Sequence, residues 1–484
     1  MRFHTLLTLA CLPTALVAYN ATAATEKDVH DSLVKLARKG EYAALEKKLS
    51  SDKTLTFLDM SSLRLEDKGC VAVARGFASH PKLQYVSLAN NNFGSECSKE
   101  LSKALKENKS LITLDISHNK HSSAHYYIAE AIQSPNLRIQ TLNMREVARD
   151  FRGWVEFGQA LQKNPHITSV DLRDNKFGVD GAKEIAKAIH NPALRQLKLG
   201  AHKIMSARLY DEGIKAIMEA VKGNTTLVHL DLTGSGMTLD KENVFEPLHG
   251  NKTLVELILN NNSISDTHAP YITNLIKSTG IKVLGLSRNN LGDSGLKTIV
   301  DAIIEADHLQ ALDISNISFS HESADTLKKL IEEGGLKMLN LGINNLKAEG
   351  VNKVLTTLQN NKTLEQIVID LNFVNPLKLG GLSDMLQKNT HLNHLGLSRV
   401  MVDGIIGKIL ARGLKENKSV TSLEFLLPIN IFEEGAKELV KSLDNIRMLS
   451  IYKGRIEKGA EMVLQKYAAT RKDFDLILKD SDRN

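Results

Sequence analysis

The sequence predicts an α/β solenoid, in which short parallel strands alternate with helices in many stacked units. An apolar pattern, L-x-x-L-x-L-x-x-N, recurs along the chain from residue 55. Its copies lie mostly 26 to 28 residues apart, which is long enough for one strand and one helix. After each copy the apolar spacing changes from strict alternation to a period of about 3.6 residues. A single unit cannot bury its apolar side alone, so neighbouring units must share one continuous core.

The chain begins with a predicted secretory signal peptide, which occupies residues 1–23. Arg2 precedes an apolar run over residues 5–17, and residues 21–23 have the small-x-small pattern of a cleavage site. The run is too short to span a bilayer. A core helix of the folded protein is the alternative, but nothing amphipathic favours it. We therefore expect a secreted or extracytoplasmic protein, located in the periplasm, outside the cell or, after delivery, in a host cell.

The rest of the chain divides into a cap, a repeat array and a second cap. We predict a helical N-terminal cap over residues 24–54, about fifteen repeats over 55–472, and a C-terminal cap strand and tail over 473–484. Solenoids need such caps because their terminal units would otherwise expose the core. The first positions of the fifteen copies are Leu55, Leu83, Leu111, Ile139, Ile167, Leu194, Leu227, Leu254, Ile281, Leu309, Leu336, Leu364, Leu392, Val420 and Ile446.

Each unit combines a strand, a turn and a helix. In residues 83–91, Val86 and Leu88 alternate with polar neighbours, which is typical of a strand. An asparagine at position nine can hydrogen-bond the backbone of the turn, and stacked copies predict a ladder. Position nine is asparagine at Asn91, Asn119, Asn175, Asn262, Asn289, Asn344 and Asn372. Other residues replace it at Leu63, Val147, His202, Ser235, Ile317, Val400, Pro428 and Gly454, where we expect the turns to deviate.

This unit resembles the leucine-rich repeat, specifically its ribonuclease-inhibitor type. NOD-like receptors and Ran GTPase-activating protein share the same unit. The resemblance covers residues from about 55 to 480 and implies a leucine-rich-repeat solenoid, or horseshoe, with a parallel β-sheet on the concave face and helices on the convex face. It also implies a non-catalytic protein that holds a protein partner on the concave face. A GTPase-activating protein or a bacterial effector acting on a host protein is the alternative, but no functional residue can be carried over.

Two groups of residues are candidates for protein binding on the concave face. Asp171, Arg145 and Arg173 belong to a polar track at positions five and seven, which suits a basic or mixed-charge partner. Solvation of the strand face is the alternative, and we favour it because surface charges contribute little energy. The later strands carry an apolar series, which marks an interface if it is exposed and a closed face if it is buried. This series comprises Ile258, Val283, Met338, Val368, Leu426, Met448 and Tyr452.

Composition and motifs exclude several functions. The chain is 42% hydrophobic and 24% charged, which is an ordinary globular balance, and its net charge of +6 is not concentrated in basic runs. We therefore expect a monomer with no nucleic-acid partner and no membrane insertion. No hydrolase, phosphate-binding or zinc motif is present, so we expect no catalytic residues and no cofactor.

Four smaller features remain to be interpreted. The extra residues of the 33-residue step after Leu194 lie within 202–210, as a binding loop or a tolerated insertion. His118, His121 and His125 have no standard metal spacing, so we predict a solvated turn and no metal site. Cys70 and Cys97 occupy matching helix positions, which we expect to be too far apart for a disulfide. Five glycosylation sequons share one phase of the repeat and are first of all turn residues: Asn108, Asn224, Asn251, Asn361 and Asn417.

Overall fold

The computed structural model describes residues 24–479, apart from 121–122, 149–152, 202–208, 240–242, 372–373, 428–429 and 453–454. The predicted signal peptide, most of the insertion, His121, Asn372 and three of the position-nine substitutions therefore lie outside the described residues. The chain forms two compact units, unit 1 (Met1–Asn262) and unit 2 (Ser263–Asn484). Among the described residues, every helix is too short or too polar to cross a membrane.

Unit 1 alternates helices with short strands. Its helices are α1 (Ala24–Arg38), α2 (Tyr42–Ser51), α3 (Glu66–Phe77), α4 (Ser95–Glu107), α5 (Ala124–Ala131), α6 (Trp154–Lys163), α7 (Gly178–Ala188), α8 (Tyr210–Val221) and the 3-10 helix Glu246–Leu248. Its strands are β1 (Phe57–Asp59), β2 (Tyr85–Ser87), β3 (Thr113–Asp115), β4 (Thr141–Asn143), β5 (Ser169–Asp171), β6 (Gln196–Lys198), β7 (His229–Asp231) and β8 (Glu256–Ile258).

Unit 2 has the same alternation but longer strands towards its end. Its helices are α9 (Ala269–Ser278), α10 (Asp293–Ala306), α11 (Ala324–Glu333), α12 (Lys347–Leu358), α13 (Gly380–Lys388), α14 (Gly404–Glu416), α15 (Glu433–Leu439) and α16 (Lys458–Ala469), with 3-10 turns Asp266–His268, His321–Ser323, Pro376–Lys378 and Val440–Ser442. Its strands are β9 (Val283–Gly285), β10 (Ala311–Asp313), β11 (Met338–Asn340), β12 (Gln366–Asp370), β13 (His394–Ser398), β14 (Met401–Val402), β15 (Ser422–Leu426), β16 (Asn430–Ile431), β17 (Met448–Tyr452) and β18 (Asp475–Lys479).

The strands of each unit form a parallel sheet in which neighbours along the chain are neighbours in space. In unit 1, β1 to β8 pair in order, and residues at the same repeat position face each other, as Leu58 faces Val86. In unit 2, β14 and β16 form a small separate pair, and the other eight strands pair in order. Each unit therefore has the solenoid architecture, with a parallel sheet alternating with helices, that the sequence predicts.

The core of each unit is the apolar ladder of the repeat. Side chains at positions one, four and six of the first copy, Leu55, Leu58 and Met60, are at most 1% exposed. Within each unit, the helices of successive repeats pack on one another, and α6 and α7 approach especially closely. A Cβ atom at Gly158 would lie 2.7 Å from the carbonyl carbon of Glu184, so only glycine permits this approach.

The predicted asparagine ladder is confirmed at position nine. The amide nitrogen of Asn91 donates to the carbonyls of Met60 (2.8 Å) and Leu88 (3.0 Å), which belong to successive repeats. Its amide oxygen accepts from the backbone N–H of Leu63 at 3.0 Å. We call these residues the strand-exit asparagines. Because each one joins two repeats, the ladder satisfies turn groups that would otherwise be buried without partners.

A second asparagine ladder lies at the opposite end of the unit, where the helix leads into the next strand. Asn108 donates from its amide nitrogen to the Phe77 carbonyl of the previous repeat at 2.7 Å. Its oxygen accepts from the backbone N–H groups of Ser110 and Leu111. The sequon asparagines are thus turn residues, as predicted. We call this set the helix-exit asparagines: Asn108, Asn164, Asn191, Asn224, Asn251, Asn361, Asn389 and Asn417.

The prediction of two free cysteine thiols is wrong. Cys70 in α3 and Cys97 in α4 form a disulfide, with their Cα atoms 5.6 Å apart. These two helix positions lie closer than the spacing between neighbouring repeats that we expected. The bridge therefore ties the first two repeats together.

Candidate protein-binding surfaces

The side of the sheet that carries positions three, five and seven is the first candidate surface, and we call it the open face. In unit 1 its position-five carboxylates mostly serve the backbone. Asp59, Asp115 and Asp231 each accept a hydrogen bond from the backbone N–H two residues further on, at 2.9 Å. This is an Asx turn, which ends the strand. The recurring aspartate is therefore a structural part of the repeat, as the alternative reading of the polar track proposed.

The two predicted arginines are held in ion pairs within unit 1. Arg173 contacts Asp171 at 2.5 Å and reaches Asp231 at 3.6 Å, and Arg145 contacts Asp174 at 2.6 Å. These side chains are at most 18% exposed. The structure thus brings Asp171 and Arg173 together and places Arg145 in a neighbouring pair. Their role in protein binding remains a prediction.

Electrostatics in this cluster depends on the arginine. Burial acts to raise the pKa of Asp171, but the adjacent Arg173 charge and its hydrogen bonds outweigh burial and lower the pKa below the usual 3.8. Asp115 has no such cation beside it. Burial therefore raises the pKa of Asp115 despite hydrogen bonds from Ser117 and Asn143.

Of the two readings left open for the apolar series, the closed face holds for four of its members, which therefore offer no exposed binding surface. Ile258 in unit 1 and Val283, Met338 and Val368 in unit 2 are all at most 7% exposed. Leu426 and Met448 are half-buried, and the side chain of Tyr452 lies outside the described residues. Glycine explains part of this closure, because a Cβ atom at Gly396 would lie 2.8 Å from Val368 and 3.3 Å from Leu426. The side chains of Val368 and Leu426 therefore occupy the space beside Gly396, where a larger residue would place its own side chain.

Four of the exposed large apolar residues of unit 2 lie instead at the edge where strands lead into helices. We call the four residues Leu377, Met401, Ile405 and Leu427 the apolar edge. They are 79%, 42%, 44% and 53% exposed, and they follow β12, β13 and β15 in three successive repeats. The 3-10 turn Pro376–Lys378 packs on α14, which begins beside Ile405, and β14 pairs with β16 shortly after Leu427. The four residues therefore share one edge.

The backbone conformation of Leu427 is also uncommon for a leucine. Its φ angle is +46°, in the left-handed region that leucine rarely adopts. The same left-handed conformation occurs at position eight of other repeats, as at Asn90 and Arg288, so it belongs to the turn of the repeat and the exposure alone distinguishes Leu427. The sequence held one signal for this edge, since Val400 and Pro428 replace the strand-exit asparagine in these repeats. The exposure itself could not be predicted, because it depends on how the irregular turns fold.

No group of histidine, cysteine and carboxylate side chains among the described residues could hold a metal ion. His118 instead contacts Glu146 at 2.7 Å, and Lys120 contacts the other oxygen of the same carboxylate at 3.1 Å.

One aromatic pair on the open face of unit 1 was not predicted. Phe57 and Tyr85 stack with their ring centroids 4.4 Å apart, and burial, with smaller effects from Asp115 and Asp59, raises the pKa of Tyr85 to about 12.

Comparisons with known proteins agree with this repeat. A leucine-rich-repeat family model matches residues 163–186 and 277–300. The mouse NACHT, LRR and PYD domains-containing protein 14 is 25% identical over 64% of this chain and 32% of its own length. Its human counterpart is 24% identical over 82% of this chain and 36% of its own length. Human NACHT, LRR and PYD domains-containing protein 3 is 24% identical over 59% of this chain and 28% of its own length.

The chain is a leucine-rich-repeat protein. Its repeats resemble those of NOD-like receptors, and it spans about a third of the length of the curated relatives it matches. Among solved structures, an internalin (InlF) from Listeria monocytogenes is 16% identical, with a TM-score of 0.36 and coverage of 91% of this chain and 98% of that one. These comparisons support a leucine-rich-repeat scaffold.

Proposed function

We propose that this leucine-rich-repeat protein is secreted, has no catalytic activity and holds a protein partner at the apolar edge of unit 2. The observation that carries the proposal is the exposure of four large apolar side chains, Leu377, Met401, Ile405 and Leu427, on three successive repeats. Truncating a central anchor of this type costs a protein interface about 2 kcal/mol or more. The proposed contact lies at this edge and not on the apolar series that the sequence suggested.

The charges near the apolar edge favour a partner of particular chemistry. Lys378 follows Leu377 directly, and Lys408 lies one helical turn after Ile405; both are exposed. Asp403 is committed to the start of α14, since its carboxylate accepts from the backbone N–H groups of Ile405 and Ile406. The edge thus presents apolar side chains flanked by ammonium groups. A partner segment with apolar residues flanked by carboxylates complements it.

Export is supported by two independent features. The predicted signal peptide directs the chain out of the cytoplasm. The Cys70–Cys97 disulfide fits the same route, because disulfides persist in oxidising compartments. Expression in a bacterium with an oxidising periplasm, followed by fractionation and mass spectrometry of the N-terminus, tests this part: a cytoplasmic product that retains residues 1–23 would contradict it.

Affinity capture with the full chain tests the binding site. Proteins captured by the native chain are compared with those captured by a variant carrying Leu377→Ser, Met401→Ser and Leu427→Ser. We expect the variant to lose a specific partner, with a drop in affinity of about a hundredfold. Tyr126→Ser in unit 1 is the matched control, because Tyr126 is 56% exposed but lies in α5.

The outcome is decided by which variant loses the partner. Equal capture by the native chain and the triple variant contradicts the proposed site, and equal loss in the control shows a non-specific effect. A turnover assay with a panel of small GTPases separates this function from the alternative of GTPase activation. Faster GTP hydrolysis in the presence of the chain would replace the proposal with that activity.

A further inference from the structure

The last strand of unit 2 has one side of its backbone available. β18 pairs with β17, and in the described part of the chain no strand pairs with its other side. The backbone N–H of Asp475 donates to the Arg447 carbonyl at 2.7 Å, so the backbone groups of residue 475 face β17. Strand geometry alternates, so those of Leu476 and Leu478 face away from the sheet. This edge can therefore accept another strand.

The apolar side chains of this edge are only partly covered. Leu476, Ile477 and Leu478 are half-buried, whereas their equivalents in β17, Leu449, Ser450 and Ile451, are buried. Met462 on the adjacent helix α16 is 62% exposed. An uncovered edge strand with apolar side chains favours pairing with another strand, and natural proteins usually block such edges with charges. Here the charges stand only at the two ends of the strand.

We propose that β18 pairs in antiparallel orientation with β18 of a second copy of this chain. The strand reads Asp-Leu-Ile-Leu-Lys, which is complementary to itself when a two-fold axis passes through Ile477. Asp475 then faces Lys479 of the second copy, and Leu476 faces Leu478 of the second copy. A parallel arrangement would instead place Asp475 against Asp475. Charge complementarity therefore selects the antiparallel pair.

The hydrogen-bonding pattern agrees with this register. Leu476 and Leu478 have the outward backbone groups, so they form the hydrogen-bonded pairs, four bonds in total by symmetry. Asp475, Ile477 and Lys479 then form the non-hydrogen-bonded pairs, in which side chains are closest. Lys479 already contacts Glu424 within its own chain, and its three N–H donors allow a second carboxylate contact. This assembly replaces the monomer that we expected from the sequence.

Cysteine cross-linking tests the register directly. In full-length protein with Cys11→Ser, Ile477→Cys places two thiols across the two-fold axis, where Cα atoms of a non-hydrogen-bonded pair lie about 4.5 Å apart and a disulfide can form. We expect a disulfide-linked dimer under mild oxidation. Asp475→Cys is the matched control, because this residue faces position 479 and not itself. The native cysteines are already joined to each other.

Charge reversal tests the pair without new covalent bonds. Asp475→Lys places two lysines opposite each other at both ends and should weaken dimerisation about tenfold in sedimentation equilibrium. Asp475→Asn, which removes the charge at position 475 and leaves Lys479 on Glu424, should weaken dimerisation less than Asp475→Lys. Circular dichroism checks that each variant is folded, and Asp444→Lys, at an exposed site elsewhere in unit 2, should leave dimerisation unchanged. A native chain that stays monomeric at every concentration, or equal cross-linking at 475 and 477, overturns the proposal.

Discussion

Repeats with a strand-exit asparagine and the last three repeats close their turns differently. In β1 to β11 each strand is three residues long, whereas β12, β13, β15 and β17 are five residues long, so the lengthening begins one repeat before the asparagine is lost. The last three repeats carry Val400, Pro428 and Gly454 in place of the asparagine. In these repeats the backbone groups that follow the strands pair with each other: β14 pairs with β16, and Ile431 forms a bridge to Ile456. The turn groups must find partners, and strand pairing replaces the amide where the amide is missing.

A single repeat without the strand-exit asparagine closes its turn differently from three consecutive repeats without it. Val147 lacks the amide, but its backbone N–H and that of Ala148 donate to the Asn175 oxygen of the next repeat at 2.9 Å. Ile317 receives the same help from Asn344 at 3.0 Å. The ladder is therefore a nearest-neighbour device, and one asparagine serves two repeats.

The largest effect is expected from removing the disulfide, which belongs to the regular part of the array alone. Cys70→Ser with Cys97→Ser releases a bridge that spans 27 residues, and should lower the free energy of unfolding by about 3–4 kcal/mol. Urea unfolding followed by circular dichroism measures this. Reduction of the native protein should give the same loss and leave the double variant unaffected; an unchanged midpoint in reductant would show that the bridge contributes nothing.

The next effect tests the ladder itself. Asn119→Ala leaves the Ile116 carbonyl and the Asn91 N–H without their side-chain partner and removes one of the two amide donors of the Leu88 carbonyl, so it should cost about 3 kcal/mol. Urea unfolding provides the measurement. Asn90→Gly is the control, since Asn90 is exposed and its φ of +56° suits glycine; it should change stability by less than about 0.5 kcal/mol. Similar costs for both variants would mean that the ladder is not the stabilising element.

A smaller effect concerns the ion pairs of the open face in unit 1. Arg173→Met leaves Asp171 and Asp231 without their shared cation and should cost about 2 kcal/mol at neutral pH. In the native protein the pKa of Asp171 is lowered, so its stabilising contribution is present above its unfolded pKa and is lost as pH falls through the folded value.

The pH dependence of the Arg173→Met variant should have the opposite sign. Without the arginine, burial raises the pKa of Asp171 above its unfolded value. The buried charge then destabilises the variant at neutral pH, and protonation removes this destabilisation as pH falls towards the unfolded pKa. Urea midpoints at pH 7 and about pH 5 check this. The gap between the native protein and the variant should narrow at the lower pH, and a widening gap would contradict the assignment.

The smallest effect is expected at the apolar edge. Leu427→Gly removes an exposed side chain from a left-handed backbone conformation, so it should leave stability unchanged or raise it by up to about 1 kcal/mol. Thermal unfolding measures the change. Loss of partner capture without loss of stability would separate the binding role of Leu427 from a structural one, whereas a destabilised variant would show that Leu427 supports the turn.

The sequence by itself determined the repeat and its phase. All fifteen predicted strands occur, because buried apolar side chains at fixed spacing admit one register, and asparagine at positions such as Asn91 has a local partner in every turn. A strand at Asp475–Lys479 follows for the same reason. These features depend on neighbours along the chain and on identical contacts in the next unit.

Only the tertiary structure decided which cysteines pair and which apolar side chains are buried, because both depend on the distances between repeats. It joined Cys70 to Cys97, buried Val283, Met338 and Val368, and left Leu377 and Leu427 exposed. Periodicity states which face a residue occupies but not how closely adjacent units approach or how an irregular turn folds. Helix spacing and the packing of side chains over Gly396 set those distances, and both arise from contacts that no single repeat contains.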